Sequence, residues 1–184
     1  MIPDLTNKGF AIFGLRGSGK TYLARYILHR YMAHMVYDTL HEYQGFNRYI
    51  VKYRQFENTA VNELNQFINQ IVINSHKIRM FIIDEANRYC PPKPARLPDG
   101  VLQLNDWQRH FNVSFGCIAR RPSQLHQDIT ELASYIFIFN LAGKNDTAYL
   151  NELADGLGDA ALSLTNHQFI IVDQNRKYAV HEPI

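Results

Sequence analysis

The chemistry in this sequence begins at Gly14, Gly19, Lys20 and Thr21, whose spacing satisfies G-x-x-x-x-G-K-[S/T] without a mismatch. Glycines in such a loop let the backbone curl until successive N–H groups point inward, which makes a cradle for phosphate oxygens. The nucleotide-contacting stretch is expected to run through Gly14, Leu15, Arg16, Gly17, Ser18, Gly19, Lys20, Thr21 and Tyr22. Lys20 would reach the β- and γ-phosphates, and the Thr21 hydroxyl would ligate Mg²⁺. A glycine-rich turn that binds nothing is the bland alternative. It fits poorly, because an apolar run at 10–13 precedes the loop and a helical pattern follows it.

A second chemical feature is Asp84-Glu85, two carboxylates at the end of the apolar run 80–83. An aspartate here can hold the Mg²⁺ shell, and a glutamate directly after it can polarise a water for attack on a γ-phosphate. The same pair could instead cap the next helix and complement its dipole. Beside a complete phosphate loop, hydrolysis of ATP is the stronger expectation.

The elements that must position these groups follow from periodicity. Apolar residues recur at helical spacing after Thr21 to about 32, over 58–74 and over 101–111, with shorter helices at 124–133, 146–154 and 160–164. Asn58 is the expected N-cap of the second helix. Strands are expected at 10–13, 35–37, 49–53, 80–83, 113–119 and 135–139, and a closing hairpin at 167–173 and 177–181. Strands alternating with helices predict a doubly wound α/β sheet, with ligands at the carboxyl ends of its strands. Gly14, Asp38, Asp84 and Arg120 all fall at those ends.

The chain of 184 residues suits a single domain spanning 1–184. Its 19 basic and 17 acidic residues give a net charge of +2, so any nucleic-acid contact must come from a local patch. Two separated cysteines, Cys90 and Cys117, make a reduced intracellular setting the default. The eight histidines form no ligand cluster that would suggest zinc. No apolar run is long enough to span a bilayer, and residues 1–4 do not open a signal peptide.

Three segments together carry a family resemblance: residues 14–21, Asp84-Glu85-Ala86-Asn87-Arg88-Tyr89, and Ala119-Arg120-Arg121-Pro122-Ser123-Gln124-Leu125. Over roughly residues 9–140 the sequence resembles the HerA/FtsK superfamily of DNA-translocating ATPases. Within that group it is similar to genome-packaging ATPases of tailless, membrane-containing viruses. Asp38, Glu42 and Tyr43 also match a segment that follows the second strand there. The resemblance implies a RecA-like (ASCE) P-loop NTPase core: a central, mostly parallel sheet with helices on both faces and a C-terminal β-hairpin. It also implies ATP and Mg²⁺ as cofactors, duplex DNA as a non-specific partner, and a homo-oligomeric ring, usually a hexamer. A portal or membrane protein of a virion would be a further partner, with the chain in the host cytoplasm or at a virion vertex. One position departs from the pattern. Arg120 stands where the family has a γ-phosphate-sensing Gln, and it could contact that phosphate with charge as well as hydrogen bonds. Arg121, then Arg88 and Arg109, are candidates for an arginine acting on a neighbouring subunit's site.

The proline-rich loop from Arg88 to Gly100 carries Arg88, Lys93 and Arg96. Its functional reading is a pore loop whose cations track DNA phosphates; the plain reading is a solvated linker. The segment 143–146 could cap a helix or contact a nucleotide base. Two other functions share the phosphate loop. A small-molecule kinase would need paired arginines as a lid, which Arg120-Arg121 could mimic. A non-motor ATP switch would use nucleotide only to control assembly.

Overall fold

In the computed structural model, which describes residues 1–52, 58–74 and 76–184, the strand and helix patterns assemble into one sheet flanked on both faces. The elements in chain order are β1 (Gly9–Phe13), α1 (Lys20–His29), β2 (His34–Asp38), β3 (Arg48–Ile50), α2 (Asn58–Phe67) and β4 (Met80–Ile83). Then come α3 (Asp99–Phe111), β5 (Ser114–Ala119), α4 (Gln127–Leu132), β6 (Tyr135–Ile138), α5 (Lys144–Leu153), α6 (Leu157–Ser163), β7 (Phe169–Val172) and β8 (Tyr178–His181). The strand order is β3-β2-β4-β5-β1-β6-β7-β8. All neighbours from β3 to β6 are parallel, and β7 and β8 join antiparallel as the closing hairpin. This is the α/β architecture that the sequence predicts, and β5 is inserted between the phosphate-loop strand and the Asp84 strand.

Alternation along each strand divides the core in two. Ala11 and Phe13 of β1 pack with Phe81 and Ile83 against α2 to α6, while Phe10 and Ile12 pack with Ile82 against α1 and the N-terminal segment. Burial on both faces is why these strands read as continuous apolar runs.

Several boundaries differ from expectation, each for a local reason. The predicted helix 58–74 is α-helical only to Phe67 and continues as a π-helical turn, Ile68–Ile73. The wider turn shifts the buried stripe, so Ile73 is 8% exposed while Ile71, placed on the core face by strict α spacing, is 40% exposed. Asn58 is the first helical residue rather than the cap, and the position before it lies outside the described residues. The third strand ends at Ile50, so the expected strand stops short: Val51 and Lys52 lie outside it, and Tyr53 lies outside the described residues. The predicted helix 124–133 splits into a 3₁₀ turn, Pro122–Gln124, and α4, because His126 takes extended dihedrals and its ring accepts a bond from Asp128 N. The hairpin turn manages without glycine. Asp173 Oδ1 accepts from Asn175 N and Lys177 N, and Arg176 adopts φ +61°.

Candidate active site

The loop between β1 and α1 sits at the carboxyl edge of the sheet and is locked before any ligand arrives. Leu15 N donates to Asn140 O and Ser18 N to Leu15 O. Gly14 has φ +154°, and a Cβ there would lie 2.6 Å from both Phe139 Cβ and Ser18 Oγ. Gly17 has φ +77° with open space around it, so its requirement is conformational alone. Lys20 is 9% exposed and its Nζ donates to Leu15 O at 2.8 Å. Burial pushes its ammonium below the usual lysine range, with the Arg120 charge adding to that and Glu85, Asp84 and Glu42 opposing it. The Ser18 hydroxyl is buried with no hydrogen-bond partner among the described residues, an unused donor inside the loop.

Opposite the loop, β4 delivers two buried carboxylates. Asp84 is 4% exposed, and its Oδ2 has no hydrogen-bond partner among the described residues. Burial, followed by the negative charges of Glu85, Glu42 and Asp38, pushes its carboxyl up to about 7. Glu85 sits in left-handed backbone (φ +51°), and its Oε1 accepts from Arg120 Nε at 3.0 Å. The inserted strand β5 ends at Ala119 and so presents Arg120 directly to Glu85. A non-glycine residue held at positive φ beside reacting groups is strain of the kind that gathers at functional sites.

A third acid arrives through the loop after β2. Asp38 accepts from Glu42 N, Tyr43 N and Arg48 Nη1, which fixes the turn and delivers Glu42 to Thr21. Thr21 Oγ1 donates to Glu42 Oε2 at 2.9 Å. Thr21 and Asp84 fit a divalent cation: hard oxygen donors, one of them without a partner among the described residues, in a pocket where burial and then neighbouring carboxylates raise the Asp84 carboxyl. Few protein ligands suffice for Mg²⁺, which keeps waters and phosphate oxygens in its shell.

The two adjacent arginines separate. Arg120 turns to Glu85, whereas Arg121 Nε donates to Asp146 Oδ2 at 2.8 Å. Asp146, 1% exposed, also accepts from the Ser123 hydroxyl and backbone N–H. The segment 143–146 thus anchors the loop after β5 to the start of α5. Arg109 is in the last turn of α3, which leads into the start of β5, at the edge of the sheet remote from the phosphate loop. The loop from Arg88 to Gly100 is ordered onto α4 rather than extended into solvent. Lys93 Nζ pairs with Asp128 at 2.6 Å, Lys93 N donates to Gln127, and His126 Nε2 meets Ala95 O. Arg88 and Arg96 line a groove beside the start of α2.

Sequence reasoning missed Phe139, which covers Gly14 and Gly19, and His167, whose Nδ1 lies 3.1 Å from Ser18 O. No spacing rule links positions 149 residues apart, and both read as core or scattered residues in isolation.

The order of strands and the cradle between β1 and α1 define the class: this is the fold of the P-loop NTPases. Among solved structures, it is similar to the genome packaging NTPase B204 from Sulfolobus turreted icosahedral virus 2 in complex with AMPPCP, with a TM-score of 0.80, 18% identity and 100% of both chains covered. It is likewise similar to B204, the DNA-packaging ATPase from Sulfolobus turreted icosahedral virus (TM-score 0.81, 18% identity, 98% of this chain and 100% of that one). The N-terminal domain of zonular occludens toxin from Neisseria meningitidis is a more distant likeness, at TM-score 0.57 and 12% identity over 95% of this chain and 94% of that one. No family profile and no curated protein matches the sequence.

Proposed function

We propose that the chain is an ATP-hydrolysing DNA translocase, a packaging motor for a viral genome that works as a homo-oligomeric ring, most simply a hexamer, around duplex DNA. The observation that carries this reading is the convergence of Lys20, Thr21, Asp84, Glu85 and Arg120 at one edge of the sheet, with the Glu85 carboxylate already held by Arg120 at 3.0 Å. Each group has a task in hydrolysis. Lys20 exchanges its bond to Leu15 O for the β- and γ-phosphates, and Ser18 Oγ and the loop N–H groups complete the cradle. Thr21 and Asp84 would hold Mg²⁺, which supplies neutralisation of the phosphate charge. Glu85 orients and deprotonates the attacking water. Arg120 lies where it can leave Glu85 for the γ-phosphate and stabilise the charge spread over its oxygens.

The structural likeness to a genome packaging NTPase in complex with AMPPCP and to a DNA-packaging ATPase supports this over the alternatives. The divergence of Arg120 and Arg121 counts against a kinase lid, since a lid needs both over one phosphate chain. For DNA, Arg88 and Arg96 are the phosphate-tracking candidates, with Lys93 fixing their loop to α4 through Asp128. Arg121, tied at Nε and 39% exposed in its side chain, is the candidate to reach a neighbouring subunit. No helix among the described residues is long and apolar enough to cross a membrane. A portal or membrane protein of the virion is the partner proposed at its vertex. The test is phosphate release from ATP with and without linear duplex DNA, alongside displacement of a bound third strand. Stimulation with displacement supports a motor; DNA-independent hydrolysis without displacement would leave only an ATPase switch.

A further inference from the structure

The parallel strands β2, β4, β5, β1 and β6 all enter the sheet along one edge, opposite the edge that carries the phosphate loop and Asp84-Glu85. The antiparallel β7 leaves along this amino edge, since Val172 pairs with Ile136 near the start of β6, so the hairpin turn 173–177 lies there too. The turns along it are cationic. Residues 1–8, 30–33, 76–79, 109–113, 131–134 and 173–177 hold Lys8, Arg30, Lys77, Arg79, Arg109, Arg176 and Lys177 against three acids, Asp4, Glu131 and Asp173. That excess is larger than the +2 of the whole chain, so the rest of the molecule is net acidic. Two of the acids are already engaged: Asp4 Oδ1 accepts from the Thr6 N–H and hydroxyl, and Asp173 Oδ1 caps the hairpin turn.

These turns touch one another in strand order. Arg79 N donates to Ala33 O, Ser114 N to Arg79 O, Phe115 N to Lys8 O, and Arg176 Nη2 to Glu131 O. From β2 to β7 the row crosses six strands, roughly 24 Å at the usual spacing of neighbours. Arg30, Arg79, Arg109 and Lys177 are exposed along it. Among these cations stand two apolar side chains turned to solvent. Met32 is 95% exposed in the turn after Arg30, and Leu132 is 52% exposed beside the Glu131 carbonyl that Arg176 holds.

A row of cations selects an anionic surface. A second copy presenting the same edge would oppose like charges. A nucleic-acid backbone would satisfy the cations but offers no apolar layer for a methionine left wholly in solvent. A lipid surface offers both, anionic headgroups for the cations and a shallow acyl boundary for the apolar tips. We propose that the amino edge of the sheet docks on an anionic lipid surface, with Arg30, Arg79, Arg109 and Lys177 on the headgroups and Met32 and Leu132 dipping beneath them. The edge that carries the phosphate loop then faces away from the bilayer and stays open. The proposal does not depend on the hydrolytic reading above.

The test is co-sedimentation with large vesicles of phosphatidylcholine alone and of phosphatidylcholine mixed with phosphatidylserine. The wild type should pellet with the mixed vesicles, not with the neutral ones, and should be released by high salt. Arg79→Glu with Lys177→Glu should lower partitioning onto mixed vesicles at least ~tenfold. Met32→Ser with Leu132→Ser should lower it about fivefold or more and leave retention on duplex DNA unchanged. All four positions are exposed, so melting temperatures should match the wild type. A wild type that ignores the mixed vesicles, or binds neutral ones equally well, would overturn the proposal, as would either pair of substitutions leaving partitioning unchanged. Loss of duplex DNA retention in the charge-reversed protein, without vesicle binding by the wild type, would make this edge a nucleic-acid surface instead.

Discussion

Gly14 and Gly17 look equivalent in the sequence and differ in the structure. Both have positive φ, but only Gly14 has Phe139 Cβ within 2.6 Å of where a Cβ would stand. Gly17→Ala should therefore cost about 1–2 kcal/mol of backbone strain and leave nucleotide binding measurable. Gly14→Ala must displace Phe139 or Ser18 and should abolish ATP binding, as read by titration beside chemical denaturation. Asp84 gives a second prediction at this scale. Its native carboxyl is raised to about 7 from an ordinary 3.8, so the folded chain binds the extra proton between those values. Stability from this group is complete below pH 4 and is lost as pH rises through 7. In chelator, Asp84→Asn should raise the melting temperature at pH 8, by a gain of at most ~4 kcal/mol, and change it little at pH 4. Adding Mg²⁺ at pH 8 should then stabilise the wild type more than the variant. The roles proposed for Lys20, Thr21, Asp84 and Glu85 rest on four motif residues and one acidic pair that the sequence already displays. The Arg120–Glu85 bond was not legible there, since it joins positions 35 apart through the strand order.

At the scale of elements, the loop after β5 and the start of α5 form one unit through Asp146. Arg121, Ser123 Oγ and Ser123 N all donate to a carboxylate that is 1% exposed. Removing it strands a half-buried guanidinium and two other donors. Asp146→Ala should cost about 3 kcal/mol or more in urea denaturation. Arg121→Ala should cost a comparable amount, because it leaves the 1%-exposed Asp146 carboxylate without its counter-charge and with only Ser123 donating to it. If Asp146→Ala were neutral, the anchor would be incidental. Element type was largely written in the sequence: β4 is Met80–Ile83, as the apolar run predicts, and the hairpin forms where alternation places it. What periodicity could not supply was the π turn after Phe67, which depends on how α2 meets the sheet, or the break at His126, an uncommon cap.

Across the whole molecule, the strand order sets the geometry on which the proposed mechanism depends. Inserting β5 between β1 and β4 opens a gap between the phosphate loop and the Asp84-Glu85 pair, and places Arg120 at the rim of that gap. Arg120 is 44% exposed in its side chain while its partner Glu85 is nearly covered, so a charge arriving from outside can compete for the arginine. If the proposed function holds, this is the physical route by which a neighbouring subunit or a DNA phosphate would alter the turnover of one site. The sheet class was readable from alternating elements, whereas the burial that shifts Asp84 and Lys20 arises only from assembly. The central claim is that a triphosphate is cut between the 14–21 loop and Glu85. The most direct measurement is single-turnover phosphate release by Glu85→Gln beside the wild type, at matched ATP occupancy. The account predicts full ATP binding with release slowed at least ~10²-fold; a variant that binds ATP and releases phosphate at the wild-type rate would contradict it.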